Sequence, residues 1–140
     1  MKHTLESHEL AGFRMTESLY PARLRQPRHN HTLPSFSFVL AGSYLETFGA
    51  RPAMRQPSTL VFHPPQESHA VEYEDRPVRI LSVRMDAPRF SYFTDHAAIF
   101  ESRVSARTET INWIGHRLYK EFRQADDLST LAVEGLVLFW

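Results

Sequence analysis

A mainly β domain, a sandwich or small barrel followed by C-terminal α-helices, is predicted by two changes of rhythm along the sequence. From Phe13 to about Met85 the apolar residues come in short runs, often alternating with polar ones and broken by proline or glycine, as half-buried strands require. After Asp86 the spacing of apolar residues changes to three and four, the period of an amphipathic helix. At 140 residues the chain is long enough for one core and too short for two.

Taken in order, the expected strands are Gly12 to Met15, Tyr20 to Arg25, Ser35 to Leu40, Ser43 to Phe48, Leu60 to His63, His69 to Tyr73 and Val78 to Met85. The prolines fall mostly at the ends of these runs, where a missing backbone donor does least harm to a sheet. Gly49, with Ala50 and Arg51, sits where a hairpin turn is needed before the segment around Met54. A helix is expected over Glu109 to Gln124, carrying Ile111, Ile114, Leu118 and Phe122 on one stripe. A second opens near Asp127, a suitable N-cap, with Leu128, Leu131, Ala132, Gly135, Leu136 and Phe139 on one face and Val133, Val137 and Trp140 on the other. It reaches the end of the chain without a cap or a polar tail, as expected of a piece of a longer protein; docking on its own sheet or on a second subunit is the alternative. The expected division is a β-barrel region over residues 1–86 and a helical dimerisation or linker segment over 87–140.

Charge and composition exclude several function classes. Sixteen Lys and Arg balance sixteen Asp and Glu, so this stretch lacks the basic excess that gives a domain affinity for phosphate backbones. No apolar run is long enough to span a membrane and no signal peptide opens the chain, so a cytoplasmic protein with no membrane partner is expected. The absence of cysteine removes disulfides, thiolate zinc sites and thiol chemistry, leaving eight histidines as the soft ligands.

His29 and His31 stand two apart in an extended segment, so their imidazoles share a face. His69 follows a turn-rich stretch and could ride on a neighbouring strand. Three neutral imidazoles with open positions hold zinc, nickel or ferrous iron, with water or an effector completing the shell. A His-x-His pair taken alone is equally a surface pair near a loop. Parity from His29 through Val39 puts Ser35, Ser37 and Val39 with the histidines, and Phe36, Phe38 and Leu40 on the other face toward the Ile111 to Phe122 stripe. His69, Val71 and Tyr73 share a face by the same rule. A pocket lined by Ser35, Ser37, Val71 and Tyr73 would suit a small polar or aromatic compound; Val71 as core, Tyr73 as a half-buried strand residue and the serines as satisfied hydroxyls is the plainer account. His63 is expected to set its turn or accept a backbone hydrogen bond, and His96 and His116 to face solvent. Arg23, Arg25 and Arg28 could attract a carboxylate effector or form a solvated strand edge. No Ser-His-Asp arrangement, glycine-rich phosphate loop or paired-carboxylate signature is present.

The spacing His29-x-His31, three residues, Ser35, six residues, Gly42 resembles the first motif of the cupin family, with Ser35 at that motif's glutamate and Arg23 at its leading glycine. The second cupin motif is similar to Ser58, Pro64, Gln66, His69 and Tyr73, where the proline and histidine match and the glycines and asparagine do not. The segments Ser37 to Tyr44, Thr59 to Pro65 and Leu131 to Leu138 further resemble the N-terminal effector-sensing domain of AraC-type transcription regulators, over about residues 20–140. That resemblance implies a cupin-type jelly roll, a small-molecule effector, a homodimer with the Glu109 to Gln124 helix as its face, and DNA contacted only through a C-terminal domain outside this sequence. It implies a divalent metal held by His29, His31 and His69, and a sensory module that is not an enzyme, because Ser35 is a poor metal ligand and a poor general base. The competing classes are a small metal-dependent cupin enzyme, an oxygenase or isomerase, and a structural dimerisation domain without a ligand.

Overall fold

The alternating half of the chain folds into two antiparallel sheets. The computed structural model describes residues 2–10, 12–96, 104–124 and, beyond those, 126, 129, 132, 133, 135 and 136. In chain order the elements are β1 His3–Leu10, β2 Phe13–Tyr20, β3 Arg25–His29, β4 Ser35–Ala41, β5 Tyr44–Phe48, β6 Arg51–Arg55, β7 Leu60–His63, β8 His69–Tyr73, β9 Val78–Met85, α1 Ala87–His96, β10 Val104–Ala106 and α2 Glu109–Arg123. One sheet runs β1-β2-β9-β4-β7-β10 and the other β3-β8-β5-β6. This is the expected mainly β fold with a helix behind it.

Several boundaries differ from those expected, each for a local reason. The strand expected over Tyr20 to Arg25 is instead the end of β2, a turn and the start of β3, because Arg23 adopts a φ of 66° beyond Pro21 and cannot continue a pleat. β1, absent from the expectations, is an edge strand whose polar composition hides it; it pairs with β2 from Leu10↔Phe13 to His3↔Leu19. β10 is a strand inside the region expected to be helical, and it pairs with β7. α1 starts because the Asp86 carboxylate accepts the Arg89 backbone N–H at 2.9 Å and Pro88 fits a first turn. The helix expected from Asp127 lies mostly outside the described residues, although Val133 is fully buried in the main core and Leu136 packs against it.

The core forms in two layers, and parity in β4 decides which residues enter each. Phe36 and Phe38 point outward from the larger sheet and meet Ile114, Leu118 and Phe122 of α2, together with Phe13, Met15 and Val83. Val39, on the opposite face, packs between the sheets with Tyr44, Val71, Tyr73, Val78 and Ile80. Burying each large α2 side chain stabilises the docked helix by about 1.5–3 kcal/mol. Thr108 caps α2, its side chain accepting the Ile111 N–H, and Lys120 and Arg123 complement the dipole at the other end. The helix is also pinned by polar contacts: Tyr119 Oη donates to Glu17 Oε2 at 2.9 Å, and Arg123 donates to Glu6 at 3.0 Å. The apolar stripe of α2 thus packs on the chain's own sheet, as parity in β4 predicts, and Trp113, 64% exposed, is the large apolar side chain that α2 leaves in solvent. Among the described residues no helix is long and apolar enough to cross a membrane.

Candidate metal centre

Inward-facing residues of the two sheets enclose a cavity of about 110 Å³ beyond the sheet-to-sheet core. His29 of β3 lies directly across the ladder from His69 of β8, their ring centroids 4.4 Å apart. His31, just past β3, brings its ring to 5.0 Å from His29 and 5.8 Å from His69. One nitrogen from each of the three lies within 4.8 Å of the others. All four residues expected to read a ligand, Ser35, Ser37, Val71 and Tyr73, line the same cavity.

Hydrogen bonds set the tautomers. A carbonyl or carboxylate oxygen only accepts, so His29, whose Nδ1 is 2.7 Å from the Pro27 carbonyl, carries its proton there. His69 Nδ1 donates in the same way to Glu46 Oε2 at 2.7 Å. In its neutral form each ring therefore turns an unprotonated Nε2 elsewhere. Among the described residues Nε2 of His69 is buried without a hydrogen-bond partner, at a cost of about 1–3 kcal/mol if nothing meets it. It belongs to the group formed with His29 and His31, and a metal ion there would satisfy it. His31 is the exposed member of the three, yet desolvation of its ring and the neighbouring His29, His69 and Arg84 push its imidazole down to about 4, so it too offers a lone pair at neutral pH. The donor set fits zinc, nickel or ferrous iron.

Behind His69 stands a carboxylate network that sequence reasoning missed. Glu46 of β5 is 1% exposed and accepts from His69 Nδ1 and His63 Nε2, both at 2.7 Å, and from Arg55 Nε at 2.9 Å. Burial acts to raise its carboxyl, but the hydrogen bonds from His63, His69 and Arg55 outweigh it and hold the group ionised well below the usual carboxylate range. Glu46, His63 and His69 also have ligand atoms close enough for an ion. In that group each histidine already donates to the carboxylate, so it reads as the outer layer of the first, orienting His69 as carboxylates orient metal-bound imidazoles. His63, expected at a turn, thus faces the site. The strand pattern Tyr44-x-Glu46-x-Phe48, a charge on an otherwise apolar inward face, was the available signal.

Other expectations resolve at the surface. His116 is exposed, its ring edge-on to Phe38, while the His96 side chain lies outside the described residues. Arg25 pairs with Glu72 at 3.4 Å and Arg28 donates to the Gly49 carbonyl at 2.8 Å, so both lie along a solvated edge.

No family model matches the chain, and no curated protein matches it. Solved structures do. A cupin 2 conserved barrel domain protein from Salinispora arenicola CNS-205 is 16% identical, with a TM-score of 0.54 over 69% of this chain and 83% of that one. The chain has a cupin fold. The AraC-like transcriptional activator CuxR superposes with a TM-score of 0.73 at 9% identity, over 95% of this cupin and 50% of that chain. The DMSP lyase DddQ from Ruegeria pomeroyi DSS-3 is 24% identical with a TM-score of 0.53, over 77% of this chain and 51% of that one. The cupin therefore spans about half the length of the activator and of the lyase.

The expectation that this domain is not an enzyme fails on two grounds. Cupin enzymes share its fold, the DMSP lyases among them. The residue-level objection was the missing glutamate at Ser35, and the structure brings a carboxylate to the histidines from another strand, at Glu46.

The pH dependence of stability follows from His31. Its folded-state value lies below the ordinary imidazole value of 6.5, so the unfolded chain takes up a proton more readily as pH falls between 6.5 and about 4. The metal-free cupin should lose melting temperature across that window, and His31→Gln should flatten the loss. An unchanged slope in the variant would refute the assignment.

Proposed function

We propose that this cupin is a ligand-binding, metal-holding sensory domain of an AraC-like regulator. The observation that carries the reading is the extent of the likeness to CuxR, which takes in 95% of the chain, whereas the likeness to the lyase DddQ covers 77%. In such a regulator the barrel would bind its effector between the sheets, and the larger sheet, with α2 packed on its back, would carry the change outward. His29, His31 and His69 would hold the metal, which when bound supplies a Lewis-acidic centre for an effector's donor atom. Glu46 fixes the His69 tautomer, His63 shares that carboxylate, and Ser35, Ser37, Val71 and Tyr73 bound the space left for the ligand. Homodimerisation, and DNA contact through a further domain, belong to this reading.

A second reading, a metal-dependent enzyme, is favoured by the Glu46–His63 pair beside the histidines and by the likeness to DMSP lyases. Two measurements separate the readings. Untagged cupin should purify with about one equivalent of metal, measured by elemental analysis, and His29→Ala with His31→Ala and His69→Ala should abolish it. The cupin is then fused to an AraC-type DNA-binding domain stripped of its own sensor, and the triple variant should change reporter output. The sensory reading is abandoned if the metal-loaded cupin turns over DMSP while the triple variant leaves the reporter unaltered.

A further inference from the structure

We propose that the ligand of this pocket carries a carboxylate and that Arg84, on β9, is the residue that selects it; the inference rests on the pocket reading above and names its ligand class. The argument starts from sheet register. On the inner face of the larger sheet Ser35 lies opposite Arg84, and Ser37 opposite Ser82, in the β4–β9 ladder. Side chains opposite each other stand on the same face, so these four form one polar patch across the cavity from the histidines of the smaller sheet. The hydroxyl row continues outward, because Ser82 lies opposite Thr16 in β2, and Thr16 bonds Ser7 at 3.0 Å.

Two cations line this patch without an ion-pair partner among the described residues: Lys2, which precedes β1, and Arg84, which stands in the hydroxyl row of the sheet itself and is the one the register places beside Ser35. Arg14, next along the same row, is paired with Glu9 at 2.6 Å. Arg55 and Arg79 have their own carboxylates, Glu46 and Glu17. Among the described residues Arg84 has no ion-pair partner, and it lines both the histidine cavity and an adjoining one of about 180 Å³. Among the described residues the one carboxylate lining the histidine cavity, Glu46, is already taken by Arg55, His63 and His69, so none of them answers Arg84 with a negative charge. A guanidinium at the rim of a small enclosed space, flanked by hydroxyls that donate or accept, binds a carboxylate in bidentate fashion and discriminates against the neutral amide. Size sharpens the class. A cavity of about 110 Å³ admits a ligand of few non-hydrogen atoms and is well below the volume of a drug-sized or nucleotide ligand.

The test uses the metal-loaded full chain, titrated calorimetrically with acetate, propionate and succinate and with the corresponding amides, metal content being measured in every sample. At least one of the acids should bind about tenfold or more tightly than its amide. Arg84→Gln should abolish that preference while leaving metal content and unliganded melting temperature unchanged, and Arg84→Lys should restore part of it. The inference is overturned if none of the acids binds at millimolar concentration, if acid and amide bind alike, or if Arg84→Gln binds the acid as the natural protein does. Natural protein that purifies without metal and takes none up, with acid binding still dependent on Arg84, would uphold this inference while removing the metal from the pocket reading.

Discussion

Replacing Glu46 with alanine should destabilise the protein by about 3–5 kcal/mol and lower metal affinity by about 10–100-fold. The size comes from what the carboxylate leaves behind. Glu46 is 1% exposed and Arg55 is 5% exposed, so removing the acid strands a buried guanidinium that water cannot reach. It also takes the shared acceptor from His63 and His69, each 2.7 Å away. Without that acceptor the His69 proton is free to move to Nε2, the nitrogen that should face the metal, and the ring loses its orientation. Glu46→Gln separates the two effects. An amide oxygen still accepts but cannot offset the Arg55 charge, so the variant should fold with reduced stability and a metal site intermediate between alanine and glutamate. Urea unfolding of the metal-free forms gives the first quantity, and competition with a chromophoric chelator gives the second. A Glu46→Ala change below about 1 kcal/mol would mean that solvent reaches Arg55 and that the network contributes little.

That network also shows how far sequence reasoning reaches. His29, His31 and His69 were legible because spacing of two in an extended segment fixes a shared face, and because period-2 parity carries Ser35, Ser37, Val71 and Tyr73 to the same side. Parity equally placed Phe36 and Phe38 against α2. Glu46, His63 and Arg55 were not legible in this way. They come from β5, β7 and β6, and meeting at one point depends on which strands are neighbours, a property of topology that no local pattern contains. β1 escaped for another reason: its inward positions hold polar residues, so alternation carries no hydrophobic signal there. The turn at Arg23 escaped because a non-glycine residue in the left-handed region leaves no mark in composition.

Gly115→Ala should cost about 2–3 kcal/mol although the residue lies in the middle of a helix, where alanine is intrinsically better than glycine by about 1 kcal/mol. Geometry reverses the propensity. A Cβ built at Gly115 would fall 2.3 Å from Cζ of Phe38 and 2.4 Å from Cε1 of the same ring. Phe38 is fully buried between the larger sheet and α2, so the ring cannot retreat without lifting the helix. The close approach of α2 to β4 thus depends on the missing side chain, and that approach lets Ile114 and Leu118 reach the sheet. If so, trimming the ring should relieve the clash. Phe38→Leu alone should destabilise by leaving a cavity, but combined with Gly115→Ala it should give a protein less destabilised than the sum of the two changes. Chemical unfolding of the four proteins completes the cycle. Strict additivity would show that α2 does not sit on Phe38 as described. Because Phe38 shares β4 with Ser35 and Ser37, the same substitution bears on the pocket: raising the helix from the sheet should shift ligand affinity without touching a residue that lines the cavity.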